Sequence, residues 1–219
     1  MLEVYKETPI FIPVYITKDV VESVTWKLSS SVGAGGIYSE ALQGWLLKFG
    51  YHSKILCISV EYYMYWLANQ KPLFSIYQSF ISGRLITLDK LPFVRLVGFR
   101  ETWCWLFAKC VLKVTRPEAT HAYEHDQICA GVKAVIDEVV HTVQYIWDAN
   151  STEENYIFLL VDTKNAFNDI NGIGMLWTFH HLWMSGDNFV LNFYRHHYLF
   201  VLRNGEGTAK IIHIREGAK

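Results

Sequence analysis

Hydrophobic and polar positions change period several times along this chain, and each change marks an element. Residues 39–49 repeat apolar side chains at helical spacing behind Ser39, which suits an N-cap, and Gly50 stops the pattern. Residues 59–68 predict a second helix, heavily aromatic. Pro72 suits a first helical turn and starts a third helix that ends near Gly83. The aromatic faces of these helices predict core or interface packing rather than a platform for stacked bases. Residues 101–113 continue the helical pattern, which ends before Pro117. Val132, Val135, Ile136, Val139, Val140, Val143 and Ile146 mark the best amphipathic helix in the chain. Residues 171–183 and 187–196 predict two more helices, joined at Ser185-Gly186.

Between these helices the period shortens. Residues 84–88 and 94–98 read as two strands joined across 89–93, a hairpin with Lys90 and Arg95 near its tip. Residues 199–203 and 208–214 flank Asn204-Gly205 and predict a second hairpin. The alternation around 10–16, with Pro9 and Pro13, predicts an edge strand or an extended arm. Residues 29–36 are rich in serine and glycine and read as a flexible linker. No Gly-Lys-Ser/Thr follows, so the linker does not match a phosphate-cradling loop.

Residues 156–161 are six large apolar or aromatic residues in a row, and the run ends on Asp162. This predicts a buried strand too short for a membrane span, with a carboxylate at its C-terminal end. A carboxylate there holds a hard cation in many α/β-type sheets or simply caps the helix that follows. Both readings stand on position alone.

Composition adds modest constraints. The chain has 219 residues, one domain or one and a fragment, and half of them are apolar. Its 20 basic and 21 acidic residues nearly cancel, so net charge does not announce a nucleic-acid binder. Local charge differs: from Arg84 to Arg116 there are seven basic residues against Asp89 and Glu101. Basic groups on a hairpin suit a phosphate partner and equally an ordinary solvated face. The cysteines Cys57, Cys104, Cys110 and Cys129 form no C-x-x-C pair, which predicts reduced thiols and an intracellular chain, cytoplasmic or nuclear. No secretory signal and no membrane span is expected. His121, His125 and Cys129 share helical spacing, but no convincing fourth zinc ligand stands near them.

The segment Asp162-Thr163-Lys164-Asn165-Ala166-Phe167-Asn168 resembles the palm motif of reverse transcriptases of retrotransposons without long terminal repeats. The resemblance implies that Asp162 is a catalytic metal ligand, that Asn165 and Ala166 lie beside the triphosphate, and that Phe167 is the steric gate under the sugar. Leu88-Asp89-Lys90-Leu91-Pro92-Phe93-Val94-Arg95-Leu96 resembles the family's Leu-x-Lys-x-x-Gly-x-Arg-Pro fingers segment, which implies that Lys90 and Arg95 face the nucleotide. Here Phe93 replaces the turn glycine and Leu96 the proline. Glu101, Leu106 and Lys109 follow the family's next helix, with Trp105 where arginine is typical, and Gln127-x-x-x-Gly131 stands close to its Gln-x-x-Gly.

The fold this implies is α+β: a fingers and partial palm, helix-rich, with an antiparallel palm sheet missing its last strands. Residues 1–34 would be an arm and linker, 35–150 the fingers-like region with its basic hairpin, and 151–219 a partial palm. The implied cofactor is Mg2+ and the implied partner an RNA or DNA template-primer. The family's later Tyr-x-Asp-Asp is absent, and the sequence holds no Asp-Asp pair anywhere. Two-metal phosphoryl transfer needs more carboxylates than this. The expectation is a truncated, degenerate reverse transcriptase, inactive alone, with a partner chain covering the incomplete palm. The alternative is a non-catalytic nucleic-acid- or protein-binding module that uses the basic fingers face.

Overall fold

The computed structural model describes residues 12–30, 32–90, 93–123, 135–152, 159, 170–194, 198–203 and 209–214. The chain is α+β, with a helical layer against one four-stranded mixed sheet.

The arm at residues 12–17 forms no strand, although Val14 and Ile16 are buried. Asn69 supplies what a neighbouring strand would. Its Oδ1 accepts from Val14 N at 2.7 Å, and its Nδ2 donates to Val14 O at 2.8 Å. The next segment is a helix, α1 (Lys18–Trp26), where the sequence pattern gave none. Thr17 caps it by accepting from Val20 N, and Asp19 favours the positive helix end.

The Ser/Gly stretch is tied down rather than loose. Gly35 N donates to the Glu101 carboxylate, and Thr102 Oγ1 donates to Ile37 O at 2.6 Å. A Cβ at Gly33 would meet the backbone of Arg100 and Glu101 within 2.8 Å. Helix α2 (Ser39–Leu47) has Tyr38, not Ser39, at its N-cap, and Ser39 is buried in the first turn. Gly50 turns the chain at φ 56° into α3 (Tyr51–Asn69). That helix starts eight residues before the aromatic pattern does. Ser53 bridges the corner, donating to Trp45 O and accepting from Phe49 N. The aromatic expectation divides here: Tyr62, Tyr63, Tyr65 and Trp66 of α3 are exposed, whereas Tyr77 of α4 (Phe74–Ile81) is buried.

Helix α5 (Thr102–Tyr123) runs through Pro117 instead of ending before it. Proline removes one helical hydrogen bond and weakens the turn. The neighbouring Glu118 compensates by tertiary contact, accepting from both the amide and the hydroxyl of Ser185. Helix α6 (Val135–Ala149) exposes Val140, Val143 and Trp147. Of the buried strand predicted over 156–161 only Leu159 is among the described residues, and there the expectation fails: Leu159 is in no strand and is 83% exposed. Helix α7 (Gly172–Leu182) is capped by Asn171, whose Oδ1 accepts from Gly174 N. A 3-10 turn at Met184–Gly186 leads into α8 (Asp187–Tyr194).

Strands β1 (Gly83–Lys90) and β2 (Phe93–Arg100) form the first hairpin, and β3 (Tyr198–Arg203) and β4 (Ala209–Ile214) the second. The spatial order is β2-β1-β3-β4. Both hairpins are antiparallel, but β1 and β3 run parallel, Gly83 to Leu85 against Phe200 to Leu202. The sheet is therefore mixed, not antiparallel throughout. Strand β1 follows α4 and β3 follows α8 in the chain, and Tyr77 of α4 touches Phe193 of α8.

Side chains from the arm, α1 to α5 and α8 share one core, with Tyr77, Phe80, Phe107, Phe189 and Phe193 in edge-on or tilted contact. Asn192 fastens α8 to the end of α3, its Nδ2 donating to Leu67 O and Gln70 O. Burial pushes the Cys57 thiol up to about 11 and those of Cys104 and Cys110 up to about 12. All three therefore stay protonated and unreactive at neutral pH.

Candidate nucleic-acid interface

Alternation along a strand sends successive residues to opposite faces of the sheet. One face meets the helices. Leu85 and Phe200 are only 6% and 8% exposed there. The Phe200 ring lies where Cβ atoms would stand on Gly83 and Gly98, each 2.5 Å from it. Glycine at both positions gives the ring its seat, a reason that neither residue shows in the sequence.

The other face is open. Register puts Arg84, Ile86, Leu88 and Lys90 of β1 on it, opposite Phe99, Val97, Arg95 and Phe93 of β2. Val201 of β3 stands beside Arg84, with Ile211 of β4 beyond it. Leu88 is 47% exposed and Ile211 57%. Arg84, Lys90, Arg95, Arg203 and His213 all occupy positions of this face, and no acidic residue of the four strands does. Asp89 falls on the opposite face. The hairpin also runs past the helices, since Thr87 and Leu88 are exposed on either side of it.

The seven basic residues predicted as a cluster do not form one patch. Arg100 turns into the helical side, where Nη1 donates to Ile81 O at 3.3 Å and the guanidinium lies 5.2 Å from the Phe193 ring centre. Lys113 of α5 donates to Ser23 Oγ and joins α5 to α1. Arg84, Lys90 and Arg95 are the ones that share the open face. Lys90 ends β1 opposite Phe93, and Arg95 faces Leu88. Strand alternation plus hairpin register was the signal that separates these three from Arg100.

Over the start of β1, the glycine-rich loop at 32–36 and Tyr38 close above Arg84 and Val201. They line a cavity of ≈ 280 Å³ that is open to solvent on one side. The buried Nε of Arg84 finds no hydrogen-bond partner there among the described residues.

Asp162, Asn165, Ala166 and Phe167 lie outside the described residues, as do His125 and Cys129. Among the described residues, no group of three or more His, Cys, Asp or Glu is placed to hold a metal. Nor, among them, is any helix long and apolar enough to cross a membrane. A His–Asp pair does occur, His180 Nδ1 to Asp187 Oδ2 at 2.9 Å, joining α7 to α8. Among the described residues the contacts given for this pair join the two helices. No protein-family model matches the chain, and no curated protein matches it.

Proposed function

We propose that this chain is a diverged relative of retrotransposon reverse transcriptases that binds nucleic acid and does not polymerise. The observation that carries the binding is the register that aligns Arg84, Lys90 and Arg95 on one acid-free face of the sheet. Guanidinium and ammonium groups held along a strand pair match a polyanion, arginine by paired hydrogen bonds and lysine as a point charge. Phe93 and Phe99 sit at positions among them, the mixture of aromatic and basic residues that sheet surfaces use for unpaired bases. The kinship rests on the palm-like and fingers-like segments, and the lack of polymerisation on the missing Asp-Asp pair.

Anisotropy of a labelled RNA template-primer tests the binding. The chain binds at low salt, and affinity falls as salt rises. Lys90→Ala with Arg95→Ala weakens binding and lowers the salt slope by about 2. An unchanged slope, or no binding at low salt, would remove the proposal. Primer extension with magnesium gives no product, and Asp162→Ala leaves binding as it was.

A further inference from the structure

We infer that the cavity over Arg84 is a seat for a single phosphate group, distinct from the hairpin tip. Its lining is Val32, Gly33, Ala34, Gly36, Tyr38, Val201 and Arg84, so among the described residues the only charged side chain it holds is a permanent cation. A buried guanidinium N–H normally finds an acceptor, because leaving it unmet costs desolvation energy with nothing in return; the Arg84 side chain is partly buried and its Nε fully so. Arg100, one cross-strand step from Arg84 on the neighbouring strand, shows the usual outcome: it donates to Ile81 O and lies against an aromatic ring. The Arg84 Nε has no such acceptor.

The Glu101 carboxylate, bonded to the same loop, does not fill the gap. Glu101 is occupied by the amide of Gly35 and does not line the cavity. The acceptor is therefore external, an oxyanion entering the cavity. At ≈ 280 Å³ the space exceeds a bare phosphate and suits a mononucleotide. The choice of phosphate rests on the nucleic-acid reading, since a strand along the open face of β1 would bring its phosphates past Arg84. From Arg84 to Lys90 that path is roughly 20 Å, which separates this seat from the basic tip.

Titration calorimetry on the full chain tests the inference with three probes: inorganic phosphate, uridine 5′-monophosphate and uridine. Phosphate and the monophosphate bind and uridine does not. Arg84→Gln weakens the monophosphate by about tenfold or more, the loss of one charge-assisted contact. Ala34→Trp, which fills the cavity from the loop and keeps the arginine, weakens it as well. Circular dichroism melts confirm that both variants are folded. If only Arg84→Gln is unfolded, Ala34→Trp decides. Equal binding of uridine and its monophosphate, no binding of either anion at 10 mM (about the weakest contact worth calling a site), or full binding by folded variants would overturn the inference. Any of these outcomes, with template-primer binding still sensitive to Lys90 and Arg95, would leave the proposed function standing.

Discussion

The two faces of the sheet are built from the same four strands, and they treat arginine in opposite ways. On the helical face, Arg100 is absorbed: its guanidinium lies over the Phe193 ring and its Nη1 donates to Ile81 O. On the open face, Arg84 sits in a cavity with its Nε unmet. Size and glycine placement differ in the same sense. Gly83 and Gly98 make room for Phe200 on the packed side, while Leu88 and Ile211 face solvent on the other. One face thus serves stability, and the other carries charge that the protein itself leaves unanswered.

This contrast can be tested in order of expected effect. The largest needs no mutation. In the unfolded chain the three buried thiols ionise from about pH 9, whereas burial holds them protonated until about 11 for Cys57 and about 12 for Cys104 and Cys110. Their folded values are raised, so their contribution is intact below pH 9 and is lost as pH climbs from 9 towards 12. Melting temperature followed from pH 8 to 11 should fall, and the fall should be shallower when Cys104 and Cys110 are alanine.

Phe200→Ala comes next. It empties the seat over the two glycines and should cost about 3–5 kcal/mol in urea unfolding. Gly98→Ala attacks the same seat from beneath and should cost about 1–3 kcal/mol by overpacking. A neutral result would show that the ring has room to shift. Arg100→Met should cost about 1–2 kcal/mol, through the lost carbonyl contact and ring contact. Arg84→Gln on the open face should change stability by less than about 0.5 kcal/mol. A large loss there would make Arg84 structural and erase the difference between the faces.

Much of the helical layer was legible. The period of residues 39–49, the Asn171 cap and the two hairpins all have local causes, and local causes are visible in a sequence. Helix α1 was also legible, since Thr17 and Asp19 are start signals, but the prolines nearby favoured an arm. Pro117 misled because its penalty is offset by Glu118 meeting Ser185, 67 residues away. Asn69 acting as a surrogate strand for Val14 is likewise invisible in one dimension. Of the candidate site, the hairpin register gives Lys90 and Arg95 positions on one face. The palm-like residues Asp162, Asn165, Ala166 and Phe167 lie outside the described residues. Arg84 was counted only as one charge among seven, because its cavity depends on a loop fifty residues upstream.

The short parallel seam between β1 and β3 has a kinetic consequence. It brings together residues more than a hundred positions apart through three residue pairs. Ends that distant meet slowly, whereas the first hairpin closes on its own within microseconds. Until the second hairpin arrives, β1 offers a bare edge to any passing strand.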